Sequence, residues 1–135
     1  MRRSRIVGVA VVATLVAGCG DGMLTPKGRV VKSGAPIVLK PGEDLGVFFY
    51  PLDGEGKLGR TVYPALFRAE DSSFRVTGSD RRGMPPGKYR VAVELKLNKR
   101  DLFRGAYDMT NSPFVIDVDS KTGEIVIDLD KPKGG

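Results

Sequence analysis

The chain is expected to be all-β, a single antiparallel β-sandwich of about seven strands. Apolar side chains recur every second residue in several segments, the period of a strand with one buried face. No stretch of ten or more residues keeps an apolar stripe at helical spacing. Turn formers, drawn from 18 glycines and 9 prolines in 135 residues, punctuate the periodic segments.

In chain order, the first candidate strands are Gly28 to Lys32 and Ile37 to Leu39. The continuous apolar run Val47-Phe48-Phe49-Tyr50 suits a central strand. Thr61 to Arg68 is interrupted by Pro64, which lacks the N–H that a ladder needs and so suits an edge strand. Phe74 and Val76 alternate with Arg75 and Thr77. The longest strand puts Tyr89, Val91, Val93, Leu95 and Leu97 on one face against Lys88, Arg90, Glu94 and Lys96, with only Ala92 small and apolar on that side. Phe114, Ile116 and Val118 then oppose Val115, Asp117 and Asp119. Ile125, Ile127 and Leu129 oppose Glu124, Val126, Asp128 and Asp130. Lys40-Pro41-Gly42, Asp53-Gly54, Gly83 and Pro85-Pro86-Gly87 supply turn chemistry. Lys121-Thr122-Gly123 suits a short hairpin loop with its glycine at positive φ. A chain of this size can bury a core without disulfides.

The N-terminus has a different composition. Arg2, Arg3 and Arg5 precede an apolar run from Ile6 to Ala17, which is followed by Gly18 and Cys19. This is the layout of a signal peptide, and about a dozen apolar residues fall short of the ~20 that span a bilayer as a helix. Leu15-Val16-Ala17-Gly18-Cys19 resembles the lipobox of bacterial lipoproteins. The resemblance implies that residues 1–18 are removed and that Cys19 becomes the lipidated first residue. Residues 19–27 then read as the lipidated cysteine and a short tether, 28–130 as the domain, and 131–135 as a flexible tail. Such a chain is membrane-anchored in the cell envelope and faces the periplasm or the exterior. Two or three acyl chains hold a protein to a bilayer where one binds only marginally.

Charge narrows the partners. Of the 22 basic side chains, the three arginines leave with the signal peptide, so 19 face 16 acidic ones and the formal charge falls from +6 to +3. The rest are spread along the strands, with local pairs only at Arg81-Arg82 and Lys99-Arg100. Nucleic acid is not an expected partner.

The order of landmarks resembles the transthyretin-like, carboxypeptidase-regulatory-like β-sandwich domains, an Ig-like architecture, and especially the small lipoproteins of planctomycete bacteria. Gly28-Arg29-Val30-Val31 followed by Gly34-Ala35-Pro36-Ile37 is similar to the family's opening strand and its Gly-x-Pro-hydrophobic turn. Val47 to Pro51 is similar to a second strand ending in proline. Met84-Pro85-Pro86-Gly87-Lys88-Tyr89-Arg90-Val91 is similar to the Pro-Pro-Gly-x-Tyr-x-Val segment, the family's most recognisable piece. Tyr107, Ser112-Pro113-Phe114 and Glu124 to Leu129 are similar to its closing strands. Where many members carry an Asp-x-x-Gly-x-Phe turn, Glu70-Asp71-Ser72-Ser73-Phe74 lacks the glycine. Independently of any family, Pro85-Pro86 fixes two φ angles, Gly87 permits the reversal, and Tyr89 enters the core with its hydroxyl able to reach backbone near the rim.

Catalytic chemistry finds little support. The absence of histidine removes histidine triads, bases and metal ligands, and one cysteine removes intrachain disulfides and cysteine-rich zinc sites. Hydroxyisourate hydrolases of the resembled fold depend on histidines that this chain lacks. Asp53 with Glu55, Glu70 with Asp71, Asp117 with Asp119, and Asp128 with Asp130 form carboxylate pairs. On a strand, i and i+2 acids share a face about 7 Å apart, a spacing compatible with paired-acid chemistry or Ca²⁺. The preferred reading makes them solvent faces of half-buried strands. Asp53-Gly-Glu-Gly-Lys57 resembles a calcium loop but stops after two acids. No catalytic residue, cofactor or metal site is assigned.

The stretch from Asn98 to Asn111 is the longest without a strand pattern, and long loops are often functional. Arg100, Phe103, Arg104 and Tyr107 are its candidate ligand-binding residues, able to stack on sugar rings or to bind an anionic polymer. The alternative is that Phe103 and Tyr107 pin the loop while the charges face water. The expected function is therefore a non-enzymatic, lipid-anchored envelope protein acting as a structural, adhesion or binding module, with an envelope protein or glycan as partner. A carbohydrate receptor is the alternative, and a carboxylate-based enzyme the third.

Overall fold

The structure, a computed structural model, describes residues 22–130; the expected signal peptide, Cys19 and the 131–135 tail lie outside the described residues. Nine strands follow in order: β1 Lys27–Lys32, β2 Ala35–Pro36, β3 Glu43–Pro51, β4 Tyr63–Arg68, β5 Ser73–Val76, β6 Gly87–Leu97, β7 Arg100–Asp101, β8 Val115–Val118 and β9 Ile125–Asp128. No helix forms among the described residues. The all-β class and the antiparallel pairing are those the periodicity predicts.

The strands join in one curled sheet ordered β2-β1-β5-β4-β3-β6-β7, with β9 added to β1 and β8 to β6. Gly28 and Arg29 pair with both β5 and β9, which therefore occupy opposite edges of β1. Likewise Tyr89 and Arg90 pair with both β3 and β8, so these flank β6. Every pairing is antiparallel except β1 with β9. The two ends of the sheet approach each other through the link 119–124 and through the Tyr107 hydroxyl, which donates to Leu129 O at 2.7 Å.

One core fills the curl. Alternation buries Leu45, Val47 and Phe49 of β3 and Tyr89, Val91 and Val93 of β6. The ring of Phe49 lies 6.0 Å from Phe74 and 6.1 Å from Tyr89, joining β3, β5 and β6. Tilted and edge-to-face contacts at such distances add to simple area burial. β3 is central, as expected, but its apolar run is two-faced, because Phe48 and Tyr50 lie half-buried on the outside.

Several expectations are corrected. Ile37 to Leu39 forms no strand; the pairing is made one step earlier by Ala35–Pro36. Ser33 at φ 55 and Gly34 at φ 81 close the β1–β2 turn in two residues, both in left-handed backbone. Pro64 is not on an edge strand, since β4 lies between β3 and β5. It is tolerated because β5 ends at Val76, level with Ala65, leaving only Gly78 N to donate to Pro64 O at 3.3 Å. A strand residue directs its N and O to the same side, so the missing N–H points where the ladder has stopped.

Lys121-Thr122-Gly123 does not close a hairpin. Gly123 has no positive φ, and β8 and β9 pair with different partners, β6 and β1. Thr122 instead caps a local turn by accepting the Asp119 amide at 2.8 Å. Ser72, in the position where the resembled turn carries glycine, adopts φ 61 itself and donates its buried hydroxyl to Ile37 O at 2.7 Å. Finally, Leu24 and Pro26, expected in the tether, are already bonded to the fold. Leu24 exchanges both backbone hydrogen bonds with Met84, and Pro26 O accepts from Val76 N.

Candidate functional site

The segment after β6 begins with a two-residue reversal, Asn98 and Lys99, both at positive φ, which turns the chain into β7. Asp101 then organises the loop. One carboxylate oxygen accepts the amides of Leu95 at 3.1 Å and Phe103 at 3.0 Å, and the other accepts Gly105 N at 2.9 Å. Asp108 repeats the device with Thr110 and Asn111. Charge-assisted bonds of this kind rigidify the loop beyond its two-residue ladder of β7 with β6.

The same segment covers the second edge of β6. Leu95 O accepts from Leu102 N, Val93 N donates to Tyr107 O, Val91 N to Phe114 O, and Ser112 Oγ donates to Val91 O. A strand edge that would otherwise stand open is satisfied residue by residue.

The four residues singled out from the sequence do not converge. Phe103 and Tyr107 pack edge to face at 5.2 Å, and Tyr107 stacks on Phe114 at 5.6 Å. Both are partly buried against the core and pin the loop. Arg100 and Arg104 are exposed and rim an open depression of about 600 Å³ on the outer side of β6, shared with Glu94, Asp101 and Asp108. Phe103 lines a different groove, of about 310 Å³, with Ile37, Val38 and Leu95.

Charge in the depression is mixed. Glu94 pairs with Lys96 at 3.4 Å. Burial, followed by the nearby Glu94 and Asp108 carboxylates, pushes the Tyr50 hydroxyl above its usual range. Arg90 reaches the carbonyls of Met109 and Thr110 through Nη1, and its buried Nε has no partner among the described residues. Such a surface can hold polar groups of either sign and offers no aromatic platform.

Several of the remaining acids are engaged in local structure. Asp53 Oδ1 accepts the amides of Glu55 and Lys57, turning the loop that resembled a calcium site onto itself. Asp128 accepts the amides of Ser33 and Asp130, and Asp130 accepts the Ser33 hydroxyl, which ties β9 to the β1–β2 turn. Asp71, held by the Ser73 hydroxyl and then its amide, has its carboxyl below the ordinary range. No group of three or more acids or other metal-ligating side chains gathers among the described residues.

Asp101 and Asp108 are not among the residues that the sequence singles out. The available signal was positional: Asp53 and Asp101 each accept amides two and four residues ahead, the habit of a loop-initiating aspartate. Comparison with protein-family models, curated proteins and solved structures finds no match to this chain.

Proposed function

We propose that the chain is a lipid-anchored protein of the bacterial cell envelope, with Cys19 as the lipidated first residue and a non-enzymatic β-domain that serves as a binding and structural module. One observation carries the reading: the point where the chain enters the fold and the Asn98 to Asn111 loop lie at opposite ends of the same strand. Leu24 is bonded to Met84, just before β6 starts at Gly87, and the loop begins just after β6 ends at Leu97. At 3.2 to 3.4 Å per residue, that strand puts roughly 35 Å between them. A domain tied to a bilayer five residues before Leu24 therefore carries its longest loop at the end of β6 remote from the anchored chain.

The curled sheet is, in this reading, a variant of the transthyretin-like sandwich whose layers run together through β4 and β3. The non-enzymatic assignment is supported by aspartates engaged with backbone amides and by a chain without histidine. Phe103 and Tyr107 use their ring faces on each other and on Phe114. Contact with an envelope protein or glycan is accordingly assigned to the polar rim of Arg100 and Arg104.

The test is fractionation of cells producing the full chain. Wild type should sediment with membranes and partition into detergent, and Lys99 should react with an impermeant amine reagent once the envelope is opened. Cys19→Ser should lose detergent partitioning. Equal partitioning of the two would overturn the anchor, and an unreactive Lys99 in the membrane-bound chain would overturn the outward loop.

A further inference from the structure

The outer face of β1, β5 and β4 gathers cations on adjacent strands. Strand register places Lys27, Arg75 and Leu66 side by side in one row, and Arg29, Ser73 and Arg68 in the next. Val126 of β9 continues the second row beside Arg29. Neighbouring strands are ~4.8 Å apart and residues along a strand ~3.3 Å apart, so the backbones of Lys27, Arg68 and Arg75 lie within about 12 Å of one another. They line a shallow groove of about 340 Å³.

Two acids meet these cations. Glu124 is held by Arg29 through two contacts of 3.1 Å, and Asp71 at the rim is turned onto Ser73. Lys27, Arg68 and Arg75 make no ion pair among the described residues. Leu66 is 65% exposed and Val126 56% exposed, so two apolar side chains flank the cations. By contrast, the outer side of β6 carries opposite charges already paired, Glu94 with Lys96.

We propose that this face lies on the bilayer that holds Cys19, with Lys27, Arg68 and Arg75 against anionic phospholipid headgroups and Leu66 in the interfacial layer. The inference rests on the lipid anchor proposed above. Chain length supports it: five residues from Cys19 to Leu24 span at most ~18 Å. The chain then passes through Pro26, bonded beside Arg75 at Val76, into Lys27, which itself lines the groove. The tether thus delivers this face to the membrane. Basic side chains are drawn to an anionic surface within a Debye length, and exposed apolar side chains among them enter the interface. In the sheet order β3 separates β6 from β4, and β3, β4 and β5 separate it from β1, so the Arg100 and Arg104 rim is not part of the cationic face.

The absence of tryptophan makes the test direct. Full-length chain purified from membranes, with the lipid on Cys19 verified by mass, is prepared as Leu66→Trp and, in the separate groove shared with Leu95 and Phe103, as Val38→Trp. Each is reconstituted into vesicles of brominated phosphatidylcholine, with or without phosphatidylglycerol as about a third of the lipid. Quenching of the Leu66→Trp emission is expected to exceed that of Val38→Trp by about twofold or more in the anionic vesicles. It should fall to the Val38→Trp level in neutral vesicles, in half-molar salt, and when Arg68→Glu and Arg75→Glu are added. Equal quenching of the two reporters in anionic vesicles, with the lipid present, would overturn the face. Strong quenching of Leu66→Trp that ignores phosphatidylglycerol and salt would overturn the headgroup contacts. A chain whose mass shows no lipid would instead overturn the anchor.

Discussion

At Tyr89 burial and a hydrogen bond act on the same hydroxyl. The side chain is 1% exposed, its O–H donates to Pro85 O at 2.5 Å, and burial, with a smaller contribution from Tyr63, pushes its pKa up to about 12. The folded state therefore keeps a proton that the unfolded chain releases near pH 10. Wild-type stability from this group is intact below pH 10 and declines as pH rises towards 12, by about 1.4 kcal/mol at pH 11. Tyr89→Phe should cost about 1 kcal/mol at pH 7 through the lost hydrogen bond. Because the variant lacks the titration, urea denaturation at pH 11 should show it equal to wild type or more stable. A constant difference across pH would contradict the buried hydroxyl. Gly28 makes a steric case: a Cβ there would meet Ile125 O at 2.0 Å and the Phe74 ring at 2.7 Å. Gly28→Ala should destabilise by about 3 kcal/mol or more, read as a lowered denaturation midpoint. Tyr89 was legible because Pro85-Pro86-Gly87 fixes where the strand begins. Gly28 was not, because close approach depends on β5 and β9, which arrive from about 45 and 100 residues away.

At the scale of elements, alternation reported which side chains face inward but not which strand lies next door. Phe114 to Val118 and Ile125 to Leu129 have their expected faces, yet they flank β6 and β1 and not each other. A short link with a glycine looks the same whether it closes a hairpin or crosses between the ends of a curled sheet. Pro64 misled for a related reason, since a missing N–H is harmless wherever the neighbouring strand has ended. The 98–111 segment read as a loop because its order comes from side chains, Asp101 above all, and carries no period. Asp101→Ala should cost about 2 to 4 kcal/mol and speed hydrogen exchange at Leu95, Phe103 and Gly105. Asp101→Asn, which keeps one acceptor oxygen, should lose less and expose Gly105 N or the other two amides, but not all three. Unchanged exchange in Asp101→Ala would show that the aromatic pins alone hold the loop.

For the whole molecule, the strand order converts a list of loops into two ends and two sides. The chain enters beside the start of β6, the longest loop leaves from its other end, and the cationic face of β1, β5 and β4 shares no residue with the Arg100 and Arg104 rim. Anchor, membrane-facing side and outward loop then follow from one premise, a lipid on Cys19. The measurement closest to that premise is the mass of the N-terminal tryptic peptide from chain extracted from membranes. The account predicts a peptide running from Cys19 to Lys27, heavier by diacylglycerol or by diacylglycerol and one more acyl chain. A peptide with an unmodified thiol at Cys19, or one that still carries residues before it, would contradict the account.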